Sequence, residues 1–401
     1  MPRTPQPSKD DLATITSWPP VYYAEQALLG ALLSDPQHLA DVTGISPEAF
    51  STAAHAAVFA AICAVPAPVL ADNTDYAAAF ASLRAQSPSG LAERTEHIVW
   101  LGEVLSTARE QARGLTAAHL HGLISACPNP RHTPAYARII AAESARRRLR
   151  KAAARLVHTA RDASLPYPVP AALAEVDTLV SIVADIAAAF PAHSGPLPRP
   201  LAPPPSPLHD GGEAAQEERL LLATCTARPA EVEQMRWLTP EDFTHPLHAG
   251  LWQCLTALVR RNVPVDPVTV IWEAQQRGAL GAADDPRDLL TFLAEPDVSA
   301  PYLGERILHR SVLTTAHHVG RRIVAFTDDP ANTPYQLIVG SRRALAEMTA
   351  IRARWHQATT PPRTTWPPRR TARTAPRASP PPRASRPVHQ PALDVHRRQG
   401  R

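Results

Sequence analysis

Along most of the chain the apolar positions recur every three or four residues, the period of a helix with one buried face. Leu28, Leu29, Leu32 and Leu33 form one such stripe, and Leu221, Leu222 and Cys225 repeat most of it further on. A third stripe runs Ile139, Ala142, Leu149, Ala153, Leu156 and Ala160, in a helix opened by Thr133-Pro134. Ala300-Pro301 opens its counterpart through Ile307, and Arg138-Ile139 and Arg306-Ile307 set the shared register. Each long helix ends at a proline-containing turn (Leu165-Pro166-Tyr167-Pro168; Asp328-Asp329-Pro330), after which shorter helices are predicted over 171–189 and 334–354. The pattern predicts two helical hairpins, long and exposed, that need a surface to pack on. Alanine carries much of the 44% hydrophobic content and aromatics are only 5%, which favours small-residue helix packing over an aromatic-rich β-sandwich, so the fold class is all-α.

The repetition extends to single residues. Glu25 to Ile62 lies on Glu218 to Leu255 without a gap at a constant offset of 193, and nine of the 38 positions are identical. Among the identities are Glu25/Glu218, Leu28/Leu221, Pro36/Pro229, Pro47/Pro240, Phe50/Phe243 and His55/His248, with Ile45/Leu238 and Phe59/Trp252 conservative between them. Each copy reads as helix, turn, short helix, helix. Ser46-Pro47-Glu48 and Thr239-Pro240-Glu241-Asp242 each place a hydroxyl N-cap before a proline at the first helical position, where the missing N–H costs nothing, and Thr239 with Asp242 approximates a capping box.

In copy 1 the run Ala24-Glu25-Gln26-Ala27-Leu28-Leu29-Gly30-Ala31-Leu32-Leu33, the turn Asp35-Pro36 and Ser46-Pro47-Glu48-Ala49-Phe50 resemble the N-terminal domain of the replicative helicase DnaB. Copy 2 is similar to the same family through Phe243-Thr244-His245-Pro246-Leu247-His248, Val265-Asp266-Pro267-Val268-Thr269, Arg277-Gly278-Ala279-Leu280 and Leu289 to Leu293. Copy 1 departs between Ala64 and Pro130, where the Asp-Pro-Val-Thr helix start is missing and extra sequence such as Gly114 to Leu123 stands instead. The resemblance implies a helical head plus hairpin without catalytic residues, which dimerises through the hairpin and forms the helicase collar where primase and loaders dock. Two tandem copies would then occupy 20–190 and 213–356. Around them, 1–19 is expected to be disordered, 191–212 a proline-rich linker and 357–401 a disordered Arg/Pro-rich tail. Between Phe190 and Gly212, Pro203-Pro204-Pro205 suits a semi-rigid polyproline spacer.

Charge adds a second possibility. The chain carries a net +4, but from Gln357 to Arg401 there are ten Arg and one acid, so the rest is mildly acidic. Such a tail suits non-specific attachment to nucleic acid through Arg369, Arg370 and Arg373, against a plain solubilising role. A second basic run contains Arg146, Arg147, Arg148, Arg150, Lys151 and Arg155, with Arg147, Lys151 and Arg155 stacked at four-residue spacing. It is a candidate for phosphate or an acidic partner, against a solvated hairpin face.

Candidate chemistry narrows the picture further. A phosphate-binding loop needs a lysine after G-x-x-x-x-G, and the only lysines, Lys9 and Lys151, do not follow one, so ATPase or autonomous helicase activity is not expected. Cys63, Cys127, Cys225 and Cys254 form no C-x-x-C pair and are expected as buried free thiols in a reduced, cytoplasmic protein. His55, His248 and His317-His318 lack a second ligand at metal spacing and are expected to pack or face solvent; no metal or cofactor is expected. Trp237, Trp252 and Trp272 fall on apolar faces and are expected in the core. No apolar run has signal-peptide or transmembrane length, so no membrane contact is expected.

The reading that follows is a non-catalytic, DNA-replication-associated interaction protein, with helicase and primase as expected partners and the hairpins pairing in a homodimer or within one chain. The alternatives are a nucleic-acid-binding accessory acting through its Arg-rich tail, and a helicase subunit needing a motor in trans. If one copy retains a partner surface, the second is favoured.

Overall fold

A computed structural model describes residues 18–68, 88–191, 211–282, 284–294 and 299–360, with 88–94 and 211 as backbone alone. The expectations for the N-terminus before residue 18, the polyproline spacer and the tail beyond 360, including Arg369, Arg370 and Arg373, lie outside the described residues. Among the described residues every regular element is helical.

Copy 1 begins with α1 (Pro20–Ser34), whose proline at the first helical position costs no hydrogen bond. A 3-10 helix at Pro36–Asp41 and a single 3-10 turn at Pro47–Ala49 lead to α2 (Ala53–Ala64), capped by the Thr52 hydroxyl on the His55 N–H. Ser46 was expected to cap the second turn; its side chain makes no cap hydrogen bond, and Ala49 stands where Asp242 completes the capping box in copy 2. The divergent middle is α3 (Pro88–Gln111) and α4 (Ala117–Ala126). Leu28, Leu29, Leu32 and Leu33 are fully buried in a core shared with Val58, Phe59, Ile62, Trp100, Val104 and Leu123. The approach of α1 to α4 is closer than a side chain permits: a Cβ on Gly30 would lie 2.1 Å from the Leu123 carbonyl oxygen. Copy 2 has Ala223 at the repeated position, so this contact belongs to the altered middle of copy 1 alone.

Copy 2 opens with α7 (Gly211–Ala227), after the hairpin helices α5 (Thr133–Arg161) and α6 (Pro168–Ala189). It continues through α8 (Ala230–Gln234), a 3-10 turn at Pro240–Asp242, α9 (Pro246–Arg260), α10 (Pro267–Gln276) and α11 (Pro286–Leu293). In the 3-10 turn the Asp242 carboxylate accepts from the Thr239 N–H at 2.8 Å and hydroxyl at 3.1 Å, the expected capping box. Asp266 caps α10 on the Val268 and Thr269 N–H groups, and Gly278 (φ +65°) supplies the left-handed residue just past its end.

The second hairpin is α12 (Ala300–Asp328) and α13 (Pro334–Thr359), and its partner is the first: α12 packs along α5, and α13 along α6. The hairpins, expected to need a surface, supply it to each other within one chain. Leu149, Ala152, Ala153, Leu156, Leu179 and Val183 of the first share one core with Val312, Ala316, Val319, Ile323 and Met348 of the second. That core continues into head 2, whereas head 1 has its own, joined to the first turns of α5 through Ala137 and Ile140. The expected register on α5 is off by one: Ile139 is half exposed and Ile140 fully buried, so Arg138-Ile139 does not match the buried Ile307.

Arg146 ties the second hairpin's turn to the first hairpin. Its guanidinium donates to the carbonyl oxygens of Thr327 (3.1 Å), Asp329 (2.6 Å), Pro330 (3.4 Å) and Asn332 (2.5 Å), carbonyls freed where α12 stops. Five N–H groups in a planar fork suit this cluster, and an ammonium would not span it. Arg146→Met keeps the aliphatic stem and removes every donor; the expected loss is about 2 kcal/mol in urea unfolding, with Arg146→Lys recovering less than half.

Candidate functional site

Two buried clusters repeat at the 193-residue offset, one in each head. In head 1 the Glu25 carboxylate, wholly inaccessible, accepts from the Ser51 N–H (2.7 Å) and hydroxyl (2.8 Å) and lies 2.7 Å from His55 Nδ1. In head 2 Glu218 accepts from the Thr244 N–H (2.6 Å) and hydroxyl (2.7 Å) and the His245 N–H (3.3 Å), with His248 Nδ1 at 2.8 Å. Each carboxylate thus sits at the start of the helix carrying its histidine, where free N–H groups favour an anion. Burial raises the Glu218 carboxyl, but the bonds from His248 and Thr244 outweigh it and hold it below the usual carboxylate range. Both histidines, expected to pack or face solvent, are buried and bound. The Ser51/Thr244 pair was missed in the sequence; its signal was a conservative substitution at the same offset as two identities.

Each hydroxyl is held by the carboxylate, which also engages the histidine and a backbone N–H, and Ser51 and Thr244 stand at the exposed edge of their clusters. The clusters latch the first helix of each head to the third structural segment. Head 2 adds charge: Arg310, itself buried, pairs with Glu217 and lies 3.9 Å from Glu218, and Arg306 joins Glu213 and Glu217. The 3-10 turns are held by the hairpins at repeat-equivalent positions. Arg147 donates to the Ala49 carbonyl in head 1; in head 2 the Ser311 hydroxyl (2.6 Å) and Arg354 reach Asp242.

The basic run on α5 divides accordingly. Arg146 and Arg147 are turned to carbonyls of the protein, Arg148 pairs with Asp185, Arg150 with Asp328 and Arg155 with Glu175, all around 3 Å. Lys151 is exposed. The four-residue stack of Arg147, Lys151 and Arg155 is therefore not one uniform cationic face.

Two sequence expectations are corrected by exposure. Trp252 is fully buried and Trp237 half-buried, but Trp272 is 61% exposed and Val268, one turn earlier on α10, 65%. The apolar face of α10 that packs inward is Val270, Ile271 and Ala274 instead. Cys225 and Cys254 are buried thiols, pushed by burial up to about 12 and about 11; Cys63 is exposed and Cys127 half-buried. Among the described residues no three metal-ligating side chains converge, and no helix is long and apolar enough to cross a membrane.

Neither a curated protein nor a solved structure matches the chain. One family model does, that of the DnaB-like helicase N terminal domain, over residues 19–68 and again over 213–303. The first match covers α1 to α2 and stops where the altered middle of head 1 begins; the second runs from α7 into the start of α12. Through these two segments the chain is similar to the DnaB-like helicase N-terminal domain family.

Proposed function

We propose that the protein is a non-catalytic, self-paired version of the helicase collar: two modules in one chain whose hairpins occupy each other, leaving the heads to dock replication proteins. The observation that carries this reading is the in-chain packing of α5–α6 on α12–α13. A hairpin face already buried in its own chain is not available to a second one, so the chain does not extend a ring through it. Head 2 is the better docking surface, because Val268 and Trp272 on α10 expose an apolar face of the kind interfaces concentrate, and head 1 has replaced that helix. The helicase and primase of the same cell are the partners, bound without ATP hydrolysis by these residues, whose two lysines follow no phosphate-binding glycine pattern.

The test is co-elution of the full chain with purified helicase and with purified primase. The expected result is a complex with at least one of them that Trp272→Glu weakens at least tenfold while the melting temperature stays unchanged. Absence of a complex with both sinks the reading. Complex formation insensitive to Trp272→Glu moves the docking surface elsewhere.

A further inference from the structure

His317 sits on α12 inside the pairing of the hairpins, three residues before Gly320, where α12 meets the backbone of α5. Its side chain is 95% buried, and neither Nδ1 nor Nε2 has a hydrogen-bond partner among the described residues. An imidazole in such a place is tolerable only while neutral, and it already forgoes the bonds a buried polar group normally makes. The charges that act on it are of one sign: Arg161 from α5, and His318 and Arg321 from its own helix, with no charge from α6 or α13 among them. The His318 ring lies 5.9 Å away, centroid to centroid. The family's docking role and the latches of the two heads make no use of this residue.

We infer that His317 is a proton-sensitive release point of the hairpin pairing: taking up a proton on its ring, it separates α12 from α5 while head 1, built on a separate core, stays folded. The charged ring would be buried beside the guanidinium groups of Arg161 and Arg321 and the His318 ring, with no hydrogen-bond partner among the described residues, and separation of the helices lets water reach it. Burial, first, and then the neighbouring cations hold the ring's proton affinity down to about 4 in the closed state, against an ordinary value near 6.5. The sign follows directly. The open state binds the proton more readily than the closed one, so closure is fully favoured above about pH 6.5 and weakens as pH falls towards 4.

Amide hydrogen exchange on the full chain, corrected for the intrinsic pH dependence, reads this out. Between pH 7.5 and 5, protection of α5 and α12 is expected to fall about 30-fold relative to α1 and α2. In His317→Leu the fall is expected to shrink to within about 3-fold. Equal loss in head 1 and the hairpins, or equal loss in wild type and variant, overturns the inference. Should the variant not fold, the wild-type His317 ring titration by NMR decides: a midpoint near 6.5 without shift changes in α5 overturns it, and one below 5 coupled to those changes supports it.

Discussion

Glu218→Ala is expected to cost about 3–5 kcal/mol of stability, a large share of what holds an ordinary domain folded. The carboxylate is the common acceptor for the Thr244 N–H, the Thr244 hydroxyl, the His245 N–H and His248; the alanine removes it from all four and leaves the buried His248 without its partner. Arg310 also loses one of its two nearby carboxylates. Glu25→Ala is expected to cost less, about 2–4 kcal/mol, because among the described residues Glu25 has fewer donors and no arginine paired with it. Glutamine at either position keeps an acceptor for the backbone N–H, so it should recover about half of the loss. Urea unfolding at pH 7.5 measures each. If Glu218→Ala costs under about 1 kcal/mol, the cluster is not a latch.

The latch also has a pH signature. Because Glu218 is held below the usual carboxylate range in the folded head, its stabilisation is present above an ordinary value near 4.5 and is lost as pH falls through the lower folded value. The wild type should therefore show an acid limb below about pH 4.5 that Glu218→Gln flattens. His317 acts from about pH 6.5 downwards and this limb begins only below about 4.5, so the onset of the two effects separates on one titration.

How far the sequence reached depends on the kind of contact. Periodicity located the helices, since it reports only that one face is buried; α5 and α12 begin at the Thr133-Pro134 and Ala300-Pro301 signals. It could not choose between Ile139 and Ile140, because adjacent apolar residues on a helix differ by 100° and either can border the stripe. The repeat exposed Glu25/Glu218 and His55/His248 as identities but not that each pair meets, since contacts 30 residues apart have no local pattern. Trp272 shows the opposite failure: helical spacing marked it as core, yet among the described residues no element covers that side of α10. Nor did the basic run declare the targets of Arg146, which are backbone carbonyls 181 to 186 positions away. Charge patterns in a sequence show where cations stand and nothing about the carbonyls that hydrogen-bond them.

Gly320→Leu is expected to break the hairpin pairing while sparing head 1. A Cβ at this position would lie 2.7 Å from Val157 Cγ2, 3.1 Å from the Ala153 carbonyl oxygen and 3.3 Å from the Val157 nitrogen. The first of these can yield by rotation of a side chain; the other two are backbone of a long helix and cannot yield without moving α5 from α12 along their length. A leucine adds three further carbons to the same space, and overpacking of this kind costs about 3 kcal/mol or more. Gly320→Ala isolates the Cβ and should cost about 1–2 kcal/mol, part of which Val157→Ala recovers in the double variant, giving a favourable coupling of about 0.5–1 kcal/mol. Gly122→Ala in α4 is the control of opposite sign: nothing lies within 4 Å of its Cβ, so helix propensity alone should stabilise by up to about 1 kcal/mol. Limited proteolysis of the full chain distinguishes local separation from unfolding. Cleavage in α5 and α12 with head 1 intact is the expected pattern in Gly320→Leu, because the core around Leu28, Phe59 and Trp100 is separate from the one that opens. Cleavage of both cores at equal rates would mean that the hairpins and head 1 unfold as one unit. The hairpin pairing on which the collar reading depends would then be a consequence of a single fold rather than a joint between two modules.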